Sequence, residues 1–127
     1  MSRYLLDTHT FLYCLFGVDK LSPGCKDIIT DPENDIFVSS VNLWEISIKK
    51  SIGKLQAPED MVSIVEEKGF LGLPISLEDG QSILDLPLLH KDPFDRMLIV
   101  QAKNNKLSII TNDKVIPTYD VKTMSAS

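Results

Sequence analysis

The chain alternates between short apolar runs and longer stretches in which apolar residues recur every three or four positions. Short apolar runs suit strands that are covered on both faces, as in a parallel sheet, whereas the longer spacing predicts helices with one buried stripe. The pattern predicts strands at residues 3–6, 36–38, 73–75, 107–110 and 121–124. It predicts helices at residues 11–16, 23–30, 41–52, 58–68, 77–86 and 92–105.

This alternation predicts one α/β domain over residues 1–127, with a mainly parallel central sheet of four to five strands flanked by helices. Ser22-Pro23 and Asp92-Pro93 support two of the helix starts, because each places a capping residue before a proline at the first helical position. Pro74 places the third strand near an edge of the sheet, since proline cannot donate to a central ladder of hydrogen bonds.

Four acids occupy strand ends and helix beginnings of this predicted fold. Asp7 ends the first strand, and Asp113 follows the fourth. Glu45 lies on the apolar stripe of its helix, and Asp95 heads the apolar stripe of the last long helix. A buried carboxylate is costly unless it is paired or binds a metal. Because a parallel sheet brings these places to the edge where ligands bind, the four acids together predict one acidic site.

Each acid also has a purely structural interpretation. Asp7 could cap the helix that follows it, and Asp92 could cap the last helix. Asp95 would then occupy the third helical position, where a carboxylate completes a capping box or interacts with the helix dipole, from which Glu45 also gains. Asp113 could serve turn chemistry alone. The sequence leaves both interpretations open for each acid taken singly.

Composition and charge limit the class of protein. The 127 residues include 43% hydrophobic and 24% charged residues, which is ordinary for a globular domain. The net charge of −5 argues against binding nucleic acid through a bulk positive field, but not against a nuclease whose clustered acids are neutralised by metal. No apolar run approaches the ~20 residues of a membrane span, and the N-terminus lacks a signal-peptide pattern. Cys14 and Cys25 are isolated, which indicates reduced, buried thiols in a cytoplasmic protein.

A cluster of carboxylates suits a divalent metal. Mg²⁺ prefers oxygen ligands, and phosphodiester hydrolysis can use one or two such ions. The two histidines, His9 and His90, are interpreted as surface or capping residues rather than as ligands. The sequence has no glycine-rich phosphate loop and no Gly-x-Ser-x-Gly motif. We therefore expect water to attack a phosphodiester directly, without a covalent enzyme intermediate.

Four segments, in chain order, carry a resemblance that spans nearly the whole sequence. They are Leu5-Leu6-Asp7-Thr8-His9, Ser39-x-x-x-x-Trp44-Glu45-Ile46, His90-Lys91-Asp92-Pro93-Phe94-Asp95-Arg96-x-Leu98-Ile99-x-Gln101-Ala102, and Thr111-Asn112-Asp113. Together they resemble the PIN domain, and specifically the VapC-type toxins of bacterial type II toxin–antitoxin systems. The Asp-Pro-Phe-Asp-Arg block followed by an apolar helix is the most specific of them.

The resemblance implies a single PIN-like nuclease domain that hydrolyses RNA with Mg²⁺, for which Mn²⁺ can substitute. It implies that the catalytic and metal-binding residues are Asp7, Glu45, Asp95 and Asp113. It further implies a homodimer and a neutralising antitoxin protein as partner. Asp92 is typical of this subgroup and is expected to be secondary, and Thr111 could support the metal's waters. Lys114 stands where some relatives carry a further acid, which leaves a second metal ion open.

Basic residues also lie near these acids in the sequence, and either of two roles suits them. They could contact phosphates of the RNA backbone or simply form solvated helix faces. The residues concerned are Lys49, Lys50, Lys54, Lys91 and Arg96. Trp44 shares the apolar stripe of its helix, which favours packing in the core over stacking on a base.

Two other classes of function remain as alternatives. A receiver-type signalling module also has this length, a parallel sheet and an acid at a strand end. It needs a pair of acids near the end of its first strand, where this chain has Leu5-Leu6 before the single Asp7. The other alternative is a PIN-like binding protein without catalytic activity, which a metal titration would distinguish.

Overall fold

A computed structural model describes residues 2–127 as alternating strands and helices. The strands are β1 Arg3–Leu6, β2 Asp35–Ser39, β3 Leu71–Leu73, β4 Ser108–Ile110 and β5 Thr123–Met124. The α-helices are α1 Thr8–Phe16, α2 Pro23–Thr30, α3 Ser40–Ser51, α4 Met61–Glu67, α5 Leu77–Ser82 and α6 Pro93–Asn105. Short 3₁₀ turns cover Val18–Lys20, Ile83–Asp85 and Ile116–Thr118.

All five strands form one parallel sheet in the order β3-β2-β1-β4-β5. The first strand is central, with Leu5 opposite Phe37 of β2 on one side and Ile109 of β4 on the other. The predicted parallel α/β sheet is thus confirmed, and β3 lies at an edge as expected from Pro74, which follows it. Strand order reverses beside β1, so the carboxyl ends of β1 and β4 form the crevice in which open parallel sheets bind ligands.

Hydrophobic clusters cover both faces of the sheet. Successive strand residues point to opposite faces, so Leu6 enters one cluster and Leu5 the other. The first cluster includes Phe11 of α1 and Val65 of α4, and the second includes Leu98 of α6. Because helices cover both faces, the apolar run of β1 needs no polar alternation. This explains why its strand signal in the sequence is a continuous apolar run.

The buried face of α3 differs from the one predicted. The apolar residues of the expected stripe are Val41, Trp44, Ile48 and Ile52, and of these only Val41 is buried, while Trp44 is 55% exposed and Ile52 is 60% exposed. The prediction that Trp44 lies in the core is therefore wrong, although its ring packs edge-on against Phe94 at 5.1 Å between centroids. The physical reason is that α3 begins at the polar edge of the sheet, where hydrogen-bonded polar side chains occupy its inner face. Glu45, which shares the stripe, is buried as predicted.

Other departures are local. The strand predicted at residues 73–75 begins two residues earlier, and the helix predicted at residues 77–86 ends as a 3₁₀ turn. Cys14 and Cys25 are free and buried as expected, and burial raises the pKa of the Cys14 thiol to about 11. Within residues 2–127, none of the helices has both the length and the apolar character needed to cross a membrane.

Candidate metal centre

Asp7 stands at the end of β1, where the strand gives way to α1. Its Oδ1 accepts the backbone N–H of Thr10 at 2.9 Å, so it is the N-cap of α1. Its Oδ2 accepts the hydroxyl of Thr111, the residue that follows β4. Asp7 is only 4% exposed. Both carboxylate oxygens of this buried acid are therefore satisfied by residues at the carboxyl edge of the sheet.

Thr111 connects Asp7 with Asp113, which lies in the turn after β4. While its hydroxyl donates to Asp7, it accepts the backbone N–H of Asp113 at 2.9 Å. Asp113 in turn accepts the N–H groups of Val115 and Ile116 through Oδ1, at 2.8 and 2.9 Å. One oxygen of Asp113, Oδ1, therefore stabilises the turn after β4, and its other oxygen, Oδ2, remains available to the neighbouring acids.

Glu45 lies on the inner face of α3 and is 3% exposed. Its Oε1 accepts the hydroxyl of Thr8 at 2.7 Å, and its Oε2 lies 2.6 Å from the Nζ of Lys49 one turn later. Asn42 donates to the same Thr8 hydroxyl at 3.1 Å. This polar network explains how a helix can bury a carboxylate and an amide, because each has a hydrogen-bond partner.

The start of α6 brings two further acids to the same edge. Asp92 is the N-cap, and its Oδ1 accepts the N–H groups of Phe94 and Asp95 at 2.8 and 3.2 Å. Asp95 does not complete a capping box, because the backbone N–H of Asp92 donates to Nδ1 of His90. The Oδ2 of Asp95 instead lies 3.1 Å from the Nε2 of His90.

His90 joins Asp95 to Asp113, because its Nε2 also lies 3.2 Å from Asp113 Oδ2. One atom from each of these three half-buried side chains lies within 4.8 Å of the other two. His90 is half-buried, and its Nδ1 accepts the backbone N–H of Asp92, so the predicted capping role describes one of its contacts. The contact with Asp113 arises only through the tertiary fold. His9 is exposed as expected.

Burial and mutual repulsion shift the pKa values of the acids in this cluster. Burial raises the pKa of Asp95 to about 7, and the charges of Asp92, Asp7 and Asp113 add to that effect while His90 opposes it. For Asp113, burial acts in the same direction, but backbone N–H donors and His90 outweigh it and hold its pKa below the ordinary value. A carboxyl group whose pKa is raised by burial among other carboxylates marks a candidate functional site.

Lys49 lies within electrostatic reach of this cluster. Its hydrogen bond to Glu45 raises the pKa of the ammonium, and the charges of Asp92 and Asp95 contribute further. The Lys49–Glu45 pair therefore borders the acids rather than lying on a remote face of α3.

The donor set fits a hard divalent cation. The side chains at this edge offer carboxylate oxygens, which Mg²⁺ and Mn²⁺ both accept. Mutual repulsion and burial of Asp95 would be relieved by a bound positive charge. The side chains that would hold the ion are the four predicted acids, Asp7, Glu45, Asp95 and Asp113.

A family model described as the PIN domain matches residues 4–122. The chain belongs to the PIN domain family. This membership decides against the receiver-type module and confirms the family that the sequence motifs resemble. Among curated proteins no significant match was found.

Solved structures similar to this PIN domain include toxin–antitoxin complexes. VapBC2 from Rickettsia felis, bound to a DNA fragment from its promoter, has a TM-score of 0.76 at 16% identity and covers 98% of this chain and 99% of that chain. DNA-bound VapBC from Salmonella typhimurium has a TM-score of 0.70 at 18% identity, with 100% of each chain covered. A toxin–antitoxin complex from Klebsiella pneumoniae has a TM-score of 0.66 at 16% identity, with 98% of each covered. At sequence identities of 16–18%, these structural similarities establish the fold alone.

The four acids predicted for this PIN domain occupy one edge of its sheet in two groups. Asp95 and Asp113 meet around His90, and Asp7 is joined to Asp113 through Thr111. Glu45 lies in the neighbouring network with Thr8 and Lys49. Sequence reasoning missed His90, which the structure adds to the cluster.

The basic residues near the PIN-domain site have diverse surroundings. Lys49 pairs with Glu45, and Lys50 donates to the carbonyl of Pro58 at 3.4 Å. The guanidinium of Arg96 donates to backbone carbonyls of the loop before α6. Lys54 and Lys91 are exposed. Arg96 thus has a structural role that the sequence did not reveal.

Proposed function

We propose that this PIN domain is a metal-dependent ribonuclease and the VapC-type toxin of a toxin–antitoxin pair. The observation that carries the proposal is the cluster of Asp95, Asp113 and His90 at the carboxyl edge of the sheet, linked to Asp7 through Thr111. Carboxylates so arranged would hold Mg²⁺, for which Mn²⁺ can substitute. When bound, the cation supplies positive charge for the phosphodiester and lowers the pKa of a water.

The chain's own residues define the rest of the reaction. Asp7, Glu45, Asp95 and Asp113 would hold the cation, and Lys49, which pairs with Glu45, would border the space for substrate. The hydroxyl of Thr111 is engaged between Asp7 and Asp113, so it serves the acids rather than acting as a nucleophile. These features support direct hydrolysis by water, without a covalent enzyme intermediate. The exposed Lys54 and Lys91 are available for backbone phosphates, which fix position without reading sequence.

Incubation of purified protein with total RNA tests the reaction. We expect cleavage with Mg²⁺ or Mn²⁺ and none with EDTA, and replacement of Asp7, Glu45, Asp95 or Asp113 by its amide should cost orders of magnitude in rate. Single-stranded DNA of matched length controls for substrate class. Full cleavage in EDTA, or by an Asp7→Asn protein free of wild-type contamination, would overturn the proposal. Metal binding without cleavage of any RNA would favour the inactive PIN-like binding protein.

An antitoxin partner follows from the same proposal. Its segment would lay apolar residues along the surface and bring a basic side chain to the acids, as the net charge of −5 favours. The product of the neighbouring reading frame should bind and inhibit the nuclease. A neighbouring product that failed to bind would count against the antitoxin.

A homodimer is proposed on the exposed stripe of α3. Trp44, Ile48 and Ile52 present apolar side chains to solvent along one side of that helix, and such patches mark association surfaces. Two-fold association is the commonest oligomeric state. Light scattering at micromolar concentration should show a dimer that Ile52→Asp dissociates. Val62→Asp, on the exposed side of α4, should leave it intact. A monomeric wild type would contradict the dimer.

A further inference from the structure

The loop that carries His90 is fixed by its backbone. The hydroxyl of Tyr119 accepts the N–H groups of Leu89 and His90 at 3.0 and 2.7 Å, and it donates to the carbonyl of Pro87 at 2.7 Å. Arg96 donates to the same Pro87 carbonyl at 3.0 Å. Tyr119 is buried. The imidazole therefore projects from a segment that is held on both sides before any ligand arrives.

The protonation of the ring follows from a single backbone bond. The N–H of Asp92 donates to Nδ1 of His90 at 3.1 Å. A backbone amide cannot accept through its nitrogen, so Nδ1 must present its lone pair and carries no proton. In the neutral imidazole the proton then resides on Nε2. That N–H faces the Oδ2 atoms of Asp95 and Asp113, at 3.1 and 3.2 Å.

The geometry points to His90 as a positioning residue of the acidic site, which donates one N–H to Asp95 and Asp113 together and does not itself bind the metal. Ligation through Nε2 would require a lone pair on that atom. The proton would then move to Nδ1, where it would face the N–H of Asp92 as a second donor. The inference rests on the proposed function only in so far as these carboxylates hold a metal ion.

This arrangement orders the acids in advance. Two carboxylates at this separation repel each other, and a shared donor draws their Oδ2 atoms toward one point. Asp113 Oδ1 is already taken by the N–H groups of Val115 and Ile116. His90 thus fixes the second oxygen of Asp113 and orients Asp95, which α6 holds only by its backbone. Partners that orient metal ligands in this way typically change metal affinity 10–100-fold when they are removed.

Nitrogen-15 NMR of the wild-type imidazole tests the tautomer directly. The spectrum should show a protonated Nε2 and an unprotonated Nδ1, both without metal and after saturation with Mg²⁺. Loss of the Nε2 proton on addition of Mg²⁺ would make His90 a ligand and overturn the inference. A doubly protonated or Nδ1-protonated ring in the metal-free protein would also overturn it. Neither result depends on catalysis.

Metal affinity measured by titration calorimetry with Mn²⁺ tests the positioning. His90→Leu removes the shared donor and should weaken binding 10–100-fold, whereas His90→Gln keeps a donor and should recover much of the loss. His9→Leu replaces the exposed histidine and should leave the affinity unchanged. Unchanged affinity in a folded His90→Leu protein, or equal losses in the Leu and Gln variants, would overturn the inference.

A further variant, Tyr119→Phe, covers the case in which His90→Leu does not fold. Tyr119→Phe keeps the imidazole but removes the hydroxyl that holds its backbone, and it should weaken Mn²⁺ binding while the Nε2 proton stays in place. An unaltered affinity would count against the inference. Failure of the proposed function gives a different pattern, in which the His90 results hold but the metal-loaded protein cleaves no RNA.

Discussion

Asp7 caps α1 by accepting the backbone N–H of Thr10 at 2.9 Å, and its other carboxylate oxygen accepts the hydroxyl of Thr111. Under the proposed function this one side chain both caps a helix and holds the metal ion. Asp7→Asn should separate these two roles, because Asn caps as well as Asp but carries no charge. We expect its unfolding free energy to stay close to that of the wild type while nuclease activity falls by orders of magnitude.

Asp7→Ala should lose activity and, in addition, about 1 kcal/mol of stability, since it removes the cap. Ser22→Ala is the matched control, because Ser22 caps α2 through the N–H of Cys25 at 3.0 Å. It should lose about the same stability and keep its activity. Urea denaturation and an RNA cleavage assay measure the two effects. An active Asp7→Asn protein would show that the cap is the only role of Asp7.

Asp95→Asn should stabilise the metal-free protein or leave its stability unchanged. The substitution removes a half-buried charge beside other carboxylates, and the cap of α6 belongs to Asp92. The same variant should lose most of the stabilisation that Mn²⁺ gives the wild type, which would be about 2.7 kcal/mol at 100 times the dissociation constant. Thermal melts in EDTA and in Mn²⁺ would measure both effects.

Asp60→Asn provides the control for that experiment. Asp60 caps the short helix α4 through the N–H of Ser63 at 3.1 Å, and Asn can replace it there. Its response to Mn²⁺ should equal that of the wild type. A destabilised Asp95→Asn protein with an undiminished metal response would rule out Asp95 as a ligand.

The stability of the metal-free protein should also depend on pH through Asp95. Burial raises its folded pKa from 3.8 to about 7, so the folded protein keeps this proton where the unfolded chain has released it. The contribution is fully present below the unfolded pKa and is lost as pH rises through about 7. Asp113 has the opposite sign, because its lowered pKa stabilises the fold above the unfolded pKa.

Comparison of the wild type with the Asp95→Asn variant isolates the pH-dependent contribution of Asp95 to stability. The stability of that variant relative to wild type should increase between about pH 4 and pH 7 and level off above. Chemical denaturation in EDTA across this range measures the difference. If the difference between the two proteins were constant with pH, the raised pKa of Asp95 would be refuted.

Replacing Thr111 by Val should weaken metal binding without changing the shape of the site. The hydroxyl that joins Asp7 to the N–H of Asp113 is lost, and an affinity loss of 10–100-fold is typical for such a partner. Thr111→Ser keeps the hydroxyl and should restore most of the affinity. Thr10→Val removes a buried hydroxyl that donates only to the carbonyl of Ile110, so it should cost stability alone. Equal Mn²⁺ affinities in the Val and Ser variants would contradict the assigned role.

Much of the fold could be predicted because its signals are local. The continuous apolar run of β1 follows from burial on both faces, and the pairs Ser22-Pro23 and Asp92-Pro93 mark helix starts that the structure confirms. The predicted edge position of β3 is also confirmed, although Pro74 follows the strand rather than lying within it. Each of these signals depends on backbone chemistry within a few residues.

The predictions failed where contacts between residues distant in the sequence determine burial and pairing. Trp44 shares helical spacing with Val41, but the inner face of α3 meets polar groups such as Thr8, so Asn42 is buried there beside Glu45, whose burial the sequence had indicated. Periodicity alone counts apolar residues and cannot identify a polar inner face. His90 was missed because its partner Asp113 is 23 positions away and only the packed fold brings them together.

The central position of β1 makes the acidic cluster depend on two strand pairings of very different sequence separation. Asp7 and Thr111 are 104 positions apart, whereas β1 pairs with β2 across a much shorter loop. Closing the longer loop costs more conformational entropy, and such non-local pairings form slowly. A chain in which only β1 and β2 have paired contains Asp7 but lacks Asp113 beside it. The full set of acids therefore requires the non-local pairing of β1 with β4, which brings Thr111 and Asp113 beside Asp7.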